Sequence, residues 1–300
     1  MAISLGGGGS ASVINEVVYL NSTENLITLA DGRVYLKGGV ASTDKATYPD
    51  ATAAISYTGD SWSANHGNSN LPRGLAFDGT YYYVIDSYYA YVKKYSVNSS
   101  GNGVYTNIEW LTYNQMATPS GMVWDGTHLC ILDSNNARNG VYKYTTTGTY
   151  VSSFLANANN TSNYANHQGI TFDGTDYWIV SQGFNRVYKY NQAGVYQNFS
   201  FDISGKETTA HGITWDGSYL YVIGTQNNSF LKYDRTGTFL GHLTSVYPQD
   251  TSVTDICHDG TQFLMVGNTN KTVYRYDDNI GIGSNNIAVA GVGQNYTRIK

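Results

Sequence analysis

Three carboxylates and three imidazoles stand where chemistry would be sought first. Asp86 and Asp133 each lie eight residues after the aspartate of an Asp-Gly pair, Asp78-Gly79 and Asp125-Gly126, so they hold equivalent places in a recurring pattern. Two carboxylates held about 5–10 Å apart can run glycoside hydrolysis, and Glu207 is a third acid of that kind. The same offset is filled by Ser181, Gly224 and Gly267 further along the chain. A place taken in turn by Asp, Ser and Gly reads as a strand-end turn, and no catalytic residue is assigned. His66, His167 and His211 fall 12, 6 and 5 residues before a repeat aspartate, so they are not equivalent positions. Metal ligands must converge and be held by a second layer of partners. This spacing offers neither, and no metal or cofactor is expected. No G-x-S-x-G, P-loop, H-E-x-x-H or C-x-x-C pattern occurs.

What remains is the chemistry of recognition. The stretches SWSANHGNSN, DSNNARNG and NANNTSNYANH combine Asn, Ser, Gly and aromatic residues. Aromatic rings stack on the apolar faces of sugars, while amides, carboxylates and hydroxyls bond their hydroxyl groups. Trp62, Tyr88, Tyr89, Tyr113, Tyr164, Phe184 and Tyr247 are the candidate ligand contacts.

The elements that must position these residues are repeats. Asp-Gly recurs at Asp78, Asp125, Asp173, Asp216 and Asp259, with spacings of 47, 48, 43 and 43 residues. Four residues before each aspartate stands Gly74, Gly121, Gly169 or Gly212, and Asp255 breaks the series. A second block ends in Tyr: VKKY, VYKY, VYKY, FLKY and VYRY. Asp-Gly between two apolar runs predicts a hairpin with a type I′ turn, in which both turn residues take positive φ. The tyrosine block is a third strand, and segments such as 151–155 and 195–201 are fourth strands. Four short strands at this period predict a β-propeller blade. One blade cannot bury both faces alone, so the blades must stack around an axis. The fold class is therefore all-β. Residues 53–59 resemble a fourth strand and are expected to close the last blade from the N-terminal side. That gives five blades, favoured over a sixth built on Asp31-Gly32, where the apolar alternation is out of phase. Two loop sets share one end of the ring: 61–73, 112–120, 157–168, 204–211 and 245–253, and 86–91, 133–140, 181–186, 224–229 and 267–271.

Composition narrows the partners. Charged residues make up 13% of the 300 residues, Tyr numbers 28, and the net charge is −5. Nucleic-acid binding would want basic stripes, so no nucleic-acid partner is expected. No apolar run reaches membrane-span length, so no membrane insertion is expected. Cys130 and Cys257 fall on blades that are not neighbours in a five-membered ring and read as buried thiols.

The ends divide the chain into residues 1–50, a Gly-rich segment with a short β-hairpin, residues 51–280, the propeller, and residues 281–300, a tail. MAISLGGGGSASVINEVVYLNSTENLITLADGRVYLKGG, followed by TYPDAT, resembles the N-terminal module of tail-fibre and tail-tip proteins of tailed bacteriophages. The D-G-T…VYKY repeats are similar to some distal parts of such proteins, and the final YTRIK resembles their endings. The resemblance implies attachment to other tail or baseplate proteins through residues 1–40. It also implies recognition of a host surface glycan or receptor through the propeller loops. It carries no catalytic residue. The implied location is the virion tail, assembled in the host cytoplasm; the start, lacking a basic segment and a long apolar core, is not expected to be a secretory signal. Weak single sites gain from multivalency, so a homo-oligomer, possibly a trimer, is expected.

Overall fold

The computed structural model describes residues 26–28, 34–36, 55–66, 71–112, 116–135, 139–157, 166–226, 230–243 and 249–277. The chain divides into two units, one of residues 54–278 and one of residues 1–53 with 279–300. In the second unit β1 (Leu26–Thr28) pairs antiparallel with β2 (Val34–Leu36), Ile27 opposite Tyr35. The strands expected around Asp31-Gly32 therefore form a two-stranded sheet of their own, not a sixth blade. The tail 281–300 lies outside the described residues.

Residues 54–278 form five four-stranded antiparallel sheets, a five-bladed β-propeller. The first strand of the unit, β3 (Tyr57–Ser63), waits for a partner at the far end of the chain. The first blade is β4 (Pro72–Phe77), β5 (Tyr81–Asp86), β6 (Tyr91–Val97) and β7 (Gly103–Leu111). The second is β8 (Pro119–Trp124), β9 (Leu129–Asp133), β10 (Gly140–Tyr144) and β11 (Tyr150–Leu155). The third is β12 (His167–Phe172), β13 (Asp176–Ser181), β14 (Arg186–Asn191) and β15 (Tyr196–Asp202). The fourth is β16 (Ala210–Trp215), β17 (Leu220–Gly224), β18 (Phe230–Tyr233) and β19 (Phe239–Leu243). The fifth is β20 (Val253–His258), β21 (Gln262–Gly267) and β22 (Thr272–Asp277), completed by β3, with Val273 opposite Trp62. Closure from the N-terminal side holds, but the closing strand is Tyr57–Ser63 and not 53–59.

The sequence periods explain the layers. Second strands such as DYWIVS and LYVIG are buried on both faces, because each blade is sandwiched between two others. Outer strands such as YVSSFL are mostly exposed. Each apolar cluster spans two adjacent blades: Trp178, Val180 and Val187 of the third pack with Ile213, Val222 and Leu231 of the fourth. The core is therefore a set of wedges between blades. At the axis the glycines are required by close approach. A Cβ on Gly121 would lie 2.7 Å from Gly169 Cα, and one on Gly169 2.8 Å from Gly212 Cα.

The Asp-Gly turns differ from the expected type. Only the glycine takes positive φ (92°, 91°, 89°, 98° and 95° at Gly79, Gly126, Gly174, Gly217 and Gly260). The aspartate stays in ordinary backbone space and turns its side chain inward. Oδ1 of each accepts the two backbone N–H groups that follow the glycine, as Asp78 does from Thr80 at 2.8 Å and Tyr81 at 2.7 Å. An Asx-type cap replaces the second positive φ.

Candidate functional site

The loop-end carboxylates come first, since they raised the question of catalysis. Asp86 is buried and accepts N–H from Leu71 at 2.8 Å, Tyr88 at 3.0 Å and Tyr89 at 2.9 Å. Asp133 accepts from Ala117 at 2.9 Å, Thr118 at 3.0 Å and Asn135 at 2.9 Å. Blades four and five have glycine at that offset, and a carboxylate from the preceding loop takes the space. A Cβ on Gly224 would lie 2.3 Å from Glu207 Cδ, and one on Gly267 would lie 2.3 Å from Asp250 Oδ2. Glu207 accepts N–H from Thr209 at 2.8 Å and Gln226 at 3.3 Å. Asp250 accepts from Ser252 at 2.8 Å and Asn270 at 2.9 Å. Each of these acids ties a first-strand loop to a second-strand loop, a structural duty.

The expected ligand contacts fare unequally. Tyr88 is 67% exposed and meets Tyr89 edge-on, ring centroids 4.7 Å apart. Both amides sit on Asp86, so the buried carboxylate fixes the tyrosine platform from beneath. Beside it Asp86, Tyr89, Tyr91, Lys93 and Glu109 line a small cleft of about 60 Å³. Burial pulls the Lys93 pKa down, against Glu109 and Asp86, and its ammonium donates to the His66 carbonyl. Tyr105 donates to Glu109 at 3.0 Å, and burial and that bond push its phenol up to about 12.

Trp62 is not a loop residue. It lies on β3, 6% exposed, with its ring 4.6 Å from Tyr95 and 5.7 Å from Tyr82. It was misplaced because the closing strand runs further than expected, and its ring joins the wedge between the fifth and first blades. Phe184 is turned inward against the cluster holding Ile170 and Ile179. Tyr113, Tyr164 and Tyr247 lie outside the described residues. Of the histidines, His167 is buried on β12, bonded to the Ala156 carbonyl at 2.7 Å, and burial pulls its pKa down to about 4. His66 stacks on Tyr105. The two cysteines are buried free thiols.

His211 belongs to a group the repeats did not reveal. The residues just before the axial glycines are Arg73, Ser120, Gln168 and His211, with Thr254 before Asp255. Ser120 and Thr254 bond the next blade's backbone, at His167 O (3.2 Å) and Pro72 O (3.0 Å). Arg73 instead crosses the ring: its Nη1 donates to Gln168 Oε1 at 3.3 Å, from the first blade to the third. One step down the strand, Asp255 fills the axis. Its Oδ2 accepts N–H from Leu75 at 2.9 Å and Met122 at 3.2 Å, while Oδ1 has no partner. Complete burial raises its pKa well above the aspartate range, against the backbone bonds. Sequence marked Asp255 only as an exception and passed over Arg73 and Gln168. The available signal was a non-repeated position directly beside a repeated one.

At the other mouth of the channel Phe77, Trp124, Phe172, Trp215 and His258 rim a space of about 100 Å³, walled by Ala76, Val123 and Cys257. Among the described residues no three metal-binding side chains converge.

No protein-family model matches the chain, and no curated protein does. Solved structures do. Glutaminyl cyclase from Myxococcus xanthus is 12% identical, TM-score 0.54, over 74% of this chain and 95% of that one. Regucalcin from Agrobacterium tumefaciens, a calcium-binding protein, is 11% identical, TM-score 0.45, over 72% of this chain and 92% of that one. Virginiamycin B lyase from Staphylococcus aureus is 13% identical, TM-score 0.43, over 72% of each. At these identities the likeness shows the fold alone. It lends the tail-fibre resemblance no support.

Proposed function

We propose that the ring is a non-catalytic recognition module that binds a surface glycan at its loop end. The observation that carries this reading is the Tyr88–Tyr89 platform, an exposed ring packed on a half-buried one and pinned by Asp86 at the rim of a polar cleft. An aromatic face beside fixed hydroxyl, ammonium and carboxylate groups suits a sugar ring. The acids that suggested hydrolysis, Asp86, Asp133 and Glu207, are already engaged by backbone donors. The wider setting, a bacteriophage tail receptor-binding protein attached through residues 1–40, rests on the sequence resemblance of that segment and on nothing in the ring. In that setting several copies on one virion supply avidity.

The test is retention of the full chain on immobilised surface polysaccharides of candidate host bacteria, beside a Tyr88→Ala, Tyr89→Ala double variant. Saturable retention of the parent, lost in the variant, is expected. Retention of neither would remove the glycan reading. Virions that carry the chain but adsorb normally without it would make the ring a structural adaptor.

A further inference from the structure

The unexplained group in this ring is the cation at its axis. Arginine carries five N–H donors and stays charged in proteins. Arg73 is half-buried, spends one donor on Gln168, and has its Nε buried with no partner. Two other loop-end cations are compensated: Lys93 faces Glu109 and Asp86, and Arg186 pairs with Asp202 at 3.4 Å. No carboxylate forms an ion pair with Arg73 among the described residues. Asp255, which stands where the first blade has Gly74, spends Oδ2 on the backbone of Leu75 and Met122.

The cation is also deliberately aimed. Gln168 is buried, and its amide nitrogen donates to Asn166 Oδ1 at 2.6 Å. Asn166 in turn donates to Gln182 Oε1 at 2.7 Å. This chain of amides fixes the Gln168 oxygen toward the axis, and the oxygen holds one arm of the guanidinium there. His211 stands at the equivalent place on the fourth blade. Burial first, and then the charge on Arg73, pull its pKa below the usual histidine value, while Glu207 pulls the other way. A neutral imidazole keeps one N–H donor. Its ring makes no hydrogen bond among the described residues.

Arg73 thus keeps a buried Nε without a partner and pairs with no carboxylate among the described residues, and an unpaired buried donor carries a desolvation penalty. A planar carboxylate matches the guanidinium fork. We propose that the loop-end axis is a carboxylate site, with Arg73 as the binding cation, His211 as a flanking donor and Gln168 as a positioning residue, and that the glycan bound at this face is acidic. This rests on the glycan reading for the source of the carboxylate, and on the axial geometry for the site itself.

The test uses the full chain and separates the two. Sodium glucuronate, methyl glucoside and N-acetylalanine are titrated while the His211 ring protons are followed by NMR. Alginate and dextran binding are measured in parallel. Glucuronate is expected to shift the His211 signals saturably, methyl glucoside to leave them in place, and alginate to bind at least tenfold more tightly than dextran. Arg73→Gln should weaken alginate binding at least thirtyfold, and Arg73→Lys, which keeps charge but loses the fork, by less. The ring-proton spectrum of each variant reports its fold. No glucuronate shift, or the same shift in Arg73→Gln, overturns the site. A stronger shift with N-acetylalanine overturns the sugar assignment. Dextran binding with no preference for alginate overturns the acidic ligand and leaves the glycan reading intact. A glucuronate shift with no polysaccharide binding keeps the site and removes the glycan reading.

Discussion

The two ends of the ring solve one problem in two ways. Both must satisfy backbone N–H groups at tight reversals of the chain. At the turn end the solution is repeated: an aspartate caps its own turn in all five blades with Oδ1. Its Oδ2 then finds one aromatic donor, by a rule that depends on the residue five places on. Where the residue five places on is a good donor, it serves within the blade: Tyr83 to Asp78 (2.7 Å), Trp178 to Asp173 (2.8 Å), Tyr221 to Asp216 (2.7 Å). Where that residue is Cys130 or Leu264, the next blade around the ring sends a tyrosine: Tyr177 to Asp125 (2.6 Å), Tyr82 to Asp259 (3.0 Å). At the loop end the same duty falls to Asp86, Asp133, Glu207 and Asp250, which come from two different segments. The lesson is that geometry fixes where a carboxylate must be, and sequence is free to choose which residue delivers it.

That equivalence can be broken. Glu207→Gly leaves the N–H groups of Thr209 and Gln226 without an acceptor and should cost about 3 kcal/mol. Gly224→Asp alone is overpacked and should cost about 2 kcal/mol. The double variant moves the carboxylate to the place used in the first two blades and should recover to within about 1 kcal/mol of the parent. Urea unfolding of the three proteins decides; a double variant no better than Glu207→Gly would end the equivalence. At the turn end Tyr177→Phe removes a bond to a charged acceptor across two blades and should cost about 2 kcal/mol, read the same way.

The ends also differ from the axis in the sign of their pH dependence. Burial raises the carboxyl pKa at Asp125, Asp173 and Asp259, but hydrogen bonds from Tyr177, the Asp176 amide and Thr261, among others, outweigh it and leave each below the ordinary aspartate value. Such groups stabilise the fold above about pH 4, and the effect is lost as pH falls through their depressed values. Asp255 is raised, so its contribution is greatest below about pH 4 and fades as pH rises. Asp255→Asn should therefore gain on the parent as pH is raised from about 2 to 7, and Asp173→Asn should lose on it. Denaturant midpoints at both pH values measure this; parallel trends in the two variants would contradict it. The smallest effect belongs to the exposed platform. Tyr88→Ala should change stability by no more than about 0.5 kcal/mol, while reducing polysaccharide retention.

The fold was readable because its repeats are imposed by ring geometry. Glycine at the axis, aspartate at the turn and tyrosine on the third strand each answer a close approach or a buried donor that recurs in nearly every blade. The closing strand was placed too early because Tyr57–Ser63, YTGDSWS, lacks the apolar alternation of the others and buries only Trp62. The axial group was missed for the opposite reason: a site made of one residue from each of several blades has no local spacing to betray it. Arg73 and Gln168 are 95 residues apart and meet only across the ring. The loop aromatics were a compositional inference, and composition cannot tell Tyr88, which faces solvent, from Trp62, which faces Tyr95.

The split fifth blade has a bearing on how the chain is made. Ser63 pairs with Thr272, so β3 leaves the ribosome about 200 residues before its partner, on the order of ten to forty seconds at ordinary elongation rates. Through that interval it is an orphan edge, and a strongly apolar orphan would recruit neighbouring nascent chains. The Gly59, Asp60 and Ser61 that obscured this strand as a strand are the kind of residues that keep it solvated until the circle is complete. Its weakness as a pattern is what makes it safe to wait.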